Sequence, residues 1–214
     1  MSIIEALASR IADGLASQLN LDQEKRSVIA YGLIGILQVT SLFLMITVIG
    51  LMTGTLYESL IIFFSVGYIR KSTGGAHSRT MWGCNTVSVA SITLLAILSR
   101  YLFGIPLDVY VNAGITMAVF LAGFIIFHKR VPVDSPNKPI VSSEKIRRLR
   151  RESFGKLCLF LLLTGAAIAL AESSERLYSI ASSIRMAMVW QAITLTETGG
   201  SLLARVDRAI NSVL

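Results

Sequence analysis

The sequence predicts an all-α protein, a polytopic transmembrane helical bundle of about six spans with an amphipathic helix at each end. Hydrophobic residues make up 53% of the 214 residues and charged residues only 15%, whereas soluble proteins carry about 25% charged residues. A membrane-spanning helix needs about 20 apolar residues. Three stretches of that length lack Asp, Glu, Lys and Arg altogether, between Arg26 and Glu58, between Arg79 and Arg100, and between Asp108 and Lys129.

The chain is expected to form a single membrane-embedded domain, residues 1–214. Residues 1–27 predict an amphipathic helix on the membrane, because apolar residues recur every three or four positions from Ile3 to Leu19. A soluble helix packed on the bundle is the alternative. The tail, residues 198–214, repeats this pattern, and three of its charged residues are expected to point away from its apolar face: Arg205, Asp207 and Arg208.

The transmembrane bundle is expected within residues 28–197. The sixth span is the weakest, because Arg185 interrupts it. A charge at that depth is costly, so Arg185 should face the bundle or water, and in the alternative the last segment does not span at all. The six spans are expected at about Val28–Leu51, Thr53–Ile69, Met81–Tyr101, Leu107–His128, Phe154–Ala171 and Leu177–Glu197.

The distribution of positive charge predicts the orientation. Of the 20 Lys and Arg residues, all but Arg100, Arg176 and Arg185 lie near the termini or in or beside two loops, 70–83 and 129–153. Basic residues favour the cytoplasmic side. We therefore expect a multi-pass protein of the cell membrane with both termini and both loops in the cytoplasm. Within the second loop a basic run follows a helix cap at Ser142 or Ser143, and it suits anionic lipid or an acidic peptide.

The first inner loop holds His77 and Cys84, a candidate nucleophilic pair. A thiol needs a base to form thiolate at neutral pH, and an imidazole is the usual base. Seven residues of straight helix would separate the two by about 10 Å, so the chain must fold back between them if they act together. Glycines permit such a path, and cations at the start of the loop would favour thiolate. These are Gly74, Gly75 and Gly83, and Arg70 and Lys71.

A zinc site is the rival interpretation of the same residues. His77, Cys84, His128 and Cys158 all fall at cytoplasmic ends of spans, and two Cys with two His is a zinc donor set. The closely spaced ligand pairs typical of zinc sites do not occur in this sequence. Cys158 is more simply interpreted as a small buried apolar residue.

Two motifs resemble the accessory gene regulator B (AgrB) family, membrane endopeptidases of Gram-positive quorum-sensing systems. They read GGAHSRTMWGC at residues 74–84 and VPVDSPNKPI at residues 131–140. The resemblance extends over nearly the whole chain. It implies a thiol protease that removes the acidic tail of an AgrD-like signal propeptide and holds the remaining peptide as a thioester. A Cys or Ser of that peptide then closes a thiolactone or lactone ring, giving an autoinducing peptide.

The resemblance also implies roles for individual residues. Cys84 would be the nucleophile and His77 the general base, with no metal or cofactor and with Arg70 and Gly75 in support. Ser78, Asn85 and Asp134 are candidates for a third residue that orients the imidazole, and a two-residue dyad is equally open. The backbone N–H groups of Gly83 and Cys84 could form an oxyanion hole. Lys138 could bind a carboxylate of the substrate, or be a solvated loop charge.

A small membrane transporter or peptide exporter is the alternative function. Glu58 and Arg185 would then mark its pathway, although both are more simply polar residues that face the bundle or end a span. The expected partners are the propeptide, membrane lipid and, as the family suggests, a second copy of the chain. Nucleic acid is not an expected partner.

Overall fold

The computed structural model describes residues 3–76, 80–134, 142–171, 174 and 176–211, and every extended regular element in these ranges is helical. The predicted all-α class is therefore confirmed. A π-helical turn, Leu98–Leu102, continues the fourth helix. In chain order the helices are α1 (Ile3–Gln18), α2 (Gln23–Met52), α3 (Leu56–Thr73), α4 (Met81–Ile97), α5 (Val109–Arg130), α6 (Ser143–Ala169), α7 (Arg176–Leu195) and α8 (Glu197–Asn211).

Four helical segments in the described part are long and apolar enough to cross a membrane: α2, α4 with its π-helical turn, α5 and α6. The helices at the predicted second and sixth spans, α3 and α7, do not meet both criteria. They pack against each other more extensively than any other pair of helices, and α7 is mostly buried. The membrane-bundle class is therefore confirmed, while the number of six spans stays a prediction.

The first compact unit, Met1–Met45, comprises α1 and most of α2. Arg26 on α2 forms an ion pair with Asp13 on α1 and donates a 3.0 Å hydrogen bond to Ser9. Ala8 and Ala12 are fully buried on the same side of α1. The predicted amphipathic helix is confirmed, and its large apolar residues lie exposed on one stripe: Ile3, Leu7, Ile11 and Leu15.

The second compact unit, Ile46–Leu214, contains the main hydrophobic core. Its largest fully buried side chains come mainly from α3, α5, α6 and α7, and α2 contributes Ile46. In water, burial of one such apolar side chain stabilises a fold by about 1.5–3 kcal/mol. Within lipid, van der Waals packing between helices provides the stabilisation instead. The core includes Ile62, Phe120, Phe127, Leu157 and Met188.

Helix α6 begins well before the predicted span at Phe154, so the inner loop is shorter than 129–153. Ser142 caps it by accepting from the Lys145 backbone N–H at 3.4 Å, as predicted. The basic run is thus part of one continuous helix, since its charges project sideways without interrupting the backbone ladder. Lys156 also donates to Tyr68 O at 3.0 Å and to Ser72 Oγ at 3.1 Å. Part of the positive charge therefore joins α6 to α3.

Both charged residues invoked for a transport pathway have partners inside the bundle. Arg185 is only 3% exposed, as predicted for a bundle-facing residue, and its Nη1 donates to Asn112 Oδ1 at 3.2 Å. Glu58 is also buried and accepts from Arg100 and Ser179. The two charges belong to separate polar clusters, so nothing in the described residues favours a pathway over ordinary internal pairing.

The charged face predicted for the tail needs one correction. Asp207 on α8 is 3% exposed, whereas Arg205 and Arg208 lie exposed as expected. Helix α8 packs against α4 and α7. That packing encloses a carboxylate that helical periodicity alone had assigned to the outside.

Replacement of Asn112 by Leu should destabilise the bundle by about 2 kcal/mol, because a buried guanidinium loses a hydrogen-bond acceptor. We expect the thermal denaturation midpoint of the detergent-purified protein to fall. Thr116→Val, one turn along α5, is the matched control, since the Thr116 hydroxyl bonds only to its own helix among the contacts described. Equal midpoints for the two variants would show that the Arg185 contact contributes nothing.

Candidate active site

Cys84 lies in the first turn of α4, where the local hydrogen bonds fix its backbone. Thr80 is the N-cap and adopts an extended conformation. Its hydroxyl accepts from the Gly83 backbone N–H at 3.1 Å, and its carbonyl accepts from the Cys84 backbone N–H at 2.9 Å. The thiol side chain is half-buried. The positive end of a helix dipole stabilises a thiolate in this position.

The same two hydrogen bonds overturn one expectation. The backbone N–H groups of Gly83 and Cys84 are occupied by Thr80, so this pair is not free to form an oxyanion hole. An α-helix leaves its first four N–H groups without intrahelical partners. In α4 the two that Thr80 does not satisfy belong to Met81 and Trp82. Gly83 itself is helical, so the change of chain direction lies elsewhere.

That change of direction occurs at Gly74 and Gly75. Helix α3 ends at Thr73, and the two glycines have φ angles of 70° and 135°, a region that L side chains rarely adopt. The Ala76 backbone N–H then donates to Thr194 O at 3.0 Å. The break between α3 and α4 is as predicted, and it excludes a single continuous helix from the first glycine of the motif to Cys84.

Two residues of α7 hold this segment, and the sequence reasoning missed both. The amide nitrogen of Gln191 donates to Thr73 Oγ1 at 2.8 Å and to Gly74 O at 2.9 Å. A Cβ added to Gly75 would lie 3.1 Å from Thr194 Oγ1. Gln191 is fully buried, and its Oε1 has no hydrogen-bond partner within the described part of the chain. The available signal was two polar residues three positions apart in an apolar segment, which share one helix face.

The chain after α5 closes over the end of α3. The Val133 backbone N–H donates to Thr73 O at 2.8 Å, and a Cβ at Gly74 would overlap Val133 O. Arg150 on α6 donates to Val131 O at 3.1 Å. The second motif of the sequence is thereby brought against the first, which sequence spacing alone did not show.

Arg70 provides the positive charge of the site. It lies near the end of α3, half-buried, and its guanidinium donates to Ala76 O. Burial lowers the pKa of Arg70 below its usual range, while the negative charge of a Cys84 thiolate acts in the opposite direction. The Arg70 guanidinium therefore lies within electrostatic range of the Cys84 side chain. Lys71, the next residue, is exposed.

The candidates for a third catalytic residue and for substrate binding lie apart or outside the described residues. Asn85 is buried on α4, but adjacent residues on a helix point in different directions, so it does not share the side of Cys84. Asp134 is exposed at the edge of the closing loop. Three candidates lie outside the described residues: His77, Ser78 and Lys138.

The proposed zinc ligands are not brought together in the described part of the chain. Cys158 is exposed on α6, so its interpretation as a buried residue is wrong. His128 is exposed near the end of α5. Among the described residues no group of three His, Cys, Asp or Glu side chains is arranged to hold a metal.

Helix α8 packs against the segment of Gly74, Gly75 and Ala76 that follows α3. A Cβ added to Gly200 would lie 3.7 Å from the Ala76 Cβ, and one added to Gly199 would overlap Ile193 O. Gly199 therefore allows α8 to approach α7 closely, whereas a side chain at Gly200 would meet Ala76 at an ordinary contact distance. Asp207, buried further along α8, is another residue that the sequence did not assign to the interior.

Comparison with known proteins identifies the family of the chain. A family model described as Accessory gene regulator B matches residues 8–195. One AgrB-like protein of Clostridium perfringens is 30% identical over 99% of this chain and 100% of its own length, and a second is 29% identical over the same shares. An AgrB-like protein of Listeria monocytogenes is 25% identical over 93% of this chain and 91% of its own length. No solved structure matches.

Gln191→Met should loosen the segment before the first motif histidine, because Thr73 and Gly74 lose their buried donor. Amide hydrogen exchange at Ala76 should become about tenfold faster, the effect of losing one to two net hydrogen bonds. Gln18→Met, at the exposed end of α1, serves as control. Unchanged exchange at Ala76 in Gln191→Met would contradict the role given to Gln191.

Proposed function

Because the chain belongs to the AgrB family, which acts in the agr quorum-sensing system, we propose that it is a membrane cysteine endopeptidase. Its substrate is an AgrD-like signal propeptide. The enzyme removes the C-terminal tail of the propeptide and promotes closure of the remainder into a thiolactone or lactone ring. The active site and both termini face the cytoplasm.

One observation carries the proposal: a half-buried thiol lies at the positive end of α4 and within electrostatic reach of Arg70. A helix N-terminus and a neighbouring cation are the surroundings in which nucleophilic cysteines of enzymes are found. The other free cysteine, Cys158, is exposed on α6 and lacks either feature. Cys84 is accordingly the nucleophile of the proposed reaction.

The reaction takes place in two acyl transfers. In the first, a lone pair of Cys84 Sγ attacks the scissile carbonyl carbon, and the carbon–nitrogen bond to the tail breaks. His77, as imidazolium, gives its proton to the departing amine. In the second, a Cys or Ser side chain of the peptide transfers its proton to His77 and attacks the thioester. The Cys84 thiolate leaves, and the ring closes.

The structure supports two requirements of this reaction. The oxyanion of each tetrahedral intermediate needs donors, and the first-turn N–H groups of Met81 and Trp82, which Thr80 does not occupy, are the candidates that replace the original pair. A side chain in a helix leans toward the N-terminus, so Cys84 Sγ is directed toward these amides. The thioester must also be kept from water, which suits a site at the end of a bundle closed by α7 and α8.

An acidic substrate tail fits the charge around the site. Lys71 is exposed beside Arg70, and three arginines of the basic run on α6 are exposed near the closing loop. Such a surface attracts negative charge and raises the rate of encounter, more so at low ionic strength. The three arginines are Arg147, Arg148 and Arg151.

Cys84→Ala should abolish cleavage of a propeptide that has an amphipathic start, an internal Cys and an acidic tail. Loss of the nucleophile removes the covalent route, so the rate should fall at least about a thousandfold. The assay is mass spectrometry of the peptide after incubation with membranes containing each variant. Cys158→Ala is the matched control and should cleave normally.

The acyl-enzyme provides a second readout. A hydroxylamine-sensitive adduct should form on Cys84 in the wild type and in Cys158→Ala, and should be missing in Cys84→Ala. Cleavage that survives Cys84→Ala, or an adduct on Cys158, would overturn the mechanism.

Arg70→Gln should slow alkylation of Cys84 by iodoacetamide at neutral pH, because less thiolate is present without the neighbouring cation. We expect a fall of about tenfold, typical when one partly buried charge interaction is lost. Lys71→Gln, next in sequence but exposed, is the control and should change the rate little. Equal rates in wild type and Arg70→Gln would show that Arg70 does not activate the thiol.

A further inference from the structure

A cavity of about 580 Å³ lies at the end of the bundle opposite to Cys84. It is formed where α3 and α7 begin and where the π-helical turn after α4 ends. Along α3 the twelve residues from Glu58 to Arg70 rise about 18 Å, so this cavity is separate from the candidate active site. Its volume is in the range of small-molecule sites, about 300–1,000 Å³. Residues that line it include Leu51, Tyr57, Glu58, Ile61, Arg100 and Arg176.

Glu58 is the central polar residue of this cavity. It is 4% exposed, and its Oε1 accepts from Ser179 Oγ at 2.5 Å and from Arg100 Nη1 at 3.3 Å. Its Oε2 is buried and has no hydrogen-bond partner among the residues that the structure describes. A buried carboxylate oxygen without a donor is costly. The carboxylate is therefore arranged to receive a donor from outside the described chain.

Two guanidinium groups supply donors to the same cavity. Arg100 uses Nη1 for Glu58, and a guanidinium has five N–H donors, so most of its donors point elsewhere. Arg176 lies over the Tyr57 ring, with its Cζ 5.9 Å from the ring centroid. The π-helical turn, a feature often found at functional sites, places Arg100 toward Glu58. A ligand here would meet one acceptor and several cationic donors.

The surroundings of the cavity are those of a lipid headgroup region. Tyr57 and Tyr101 are 63% and 60% exposed at this end of the bundle, and tyrosines are enriched at membrane interfaces. Apolar side chains line the rest of the cavity and suit the glycerol and upper acyl carbons of a lipid. They include Leu51, Ile61 and Ile180.

We propose that this cavity binds the headgroup of a phospholipid that carries a primary ammonium, as in phosphatidylethanolamine. The ammonium donates to Glu58 Oε2, and the phosphate accepts from Arg100 and Arg176. Charged groups of both signs then gain charge-assisted hydrogen bonds. The site goes beyond the peptidase reaction and does not depend on it.

Native mass spectrometry of the full chain tests this with three palmitoyl-oleoyl lipids. Phosphatidylethanolamine has N–H donors, phosphatidylcholine has the same charges without them, and phosphatidylglycerol has no ammonium. Wild type should retain phosphatidylethanolamine about tenfold better than either of the others, the factor for one charge-assisted hydrogen bond. Glu58→Gln should erase this preference. Arg148→Gln, exposed on α6, should keep it.

Leu51→Trp provides a variant that fills the cavity and leaves the polar cluster intact, so it should also lose phosphatidylethanolamine. Cys84→Ala should keep the preference, which separates this test from that of the peptidase. Equal retention of the three lipids, stronger retention of phosphatidylglycerol, or a preference that survives both Glu58→Gln and Leu51→Trp would overturn the proposal. If soluble phosphoethanolamine at equal concentration displaced phosphatidylethanolamine, the site would bind a free zwitterion, and the proposal of a lipid ligand would be overturned.

Discussion

The hydrogen bonds from α7 to the non-helical segment after α3 are the constraint on which the site depends. A backbone that leaves a helix near a membrane must find partners in the protein, because lipid supplies none. Gly74 O receives the Gln191 amide, and Ala76 is bound on both sides, by Thr194 O and by Arg70. The break between α3 and α4 is stable because hydrogen bonds to α7 replace the backbone hydrogen bonds that a continuous helix would make. Cys84 can then begin a new helix.

The fold class could be predicted because lipid imposes a simple rule on composition. Long stretches without charge gave α2, α4 and α5, and the positive φ angles at Gly74 and Gly75 match the glycine pair in the sequence. The cap of α6 at Ser142 was predicted, but the continuity of its basic start with the fifth span was missed, because charge marks the end of an apolar run and not the end of a helix. Asp207 was missed because periodicity describes one helix, whereas its burial arises from packing of α8 on other helices.

The candidate site divides in the same way. Cys84 could be named from one short motif because a thiol near a histidine carries chemical meaning, whereas Arg70 and Gly75 were implied by the family resemblance. The partners in α7 could not be named, because Gln191 is separated from Thr73 by more than a hundred residues and its role is a property of tertiary pairing. The same holds for Val133, which links the two motifs only once α5 and α3 are packed. The prediction of the oxyanion donors was wrong for a local reason, because the capping Thr80 accepts hydrogen bonds from the backbone N–H groups of Gly83 and Cys84.

This division has a consequence for how substitutions act. The thiol is fixed by α4 and its cap, whereas the segment that leads to the first motif histidine is fixed by α7. For the acyl transfer that we propose, two separately positioned elements must meet, and their separation is set by helix packing and not by a sequence interval. Reacting groups tolerate little displacement, and an error of about 1 Å can cost a hundredfold in rate. Residues such as Gln191 and Thr194 can therefore control the reaction without contacting the substrate, provided that α3 and α7 keep their register.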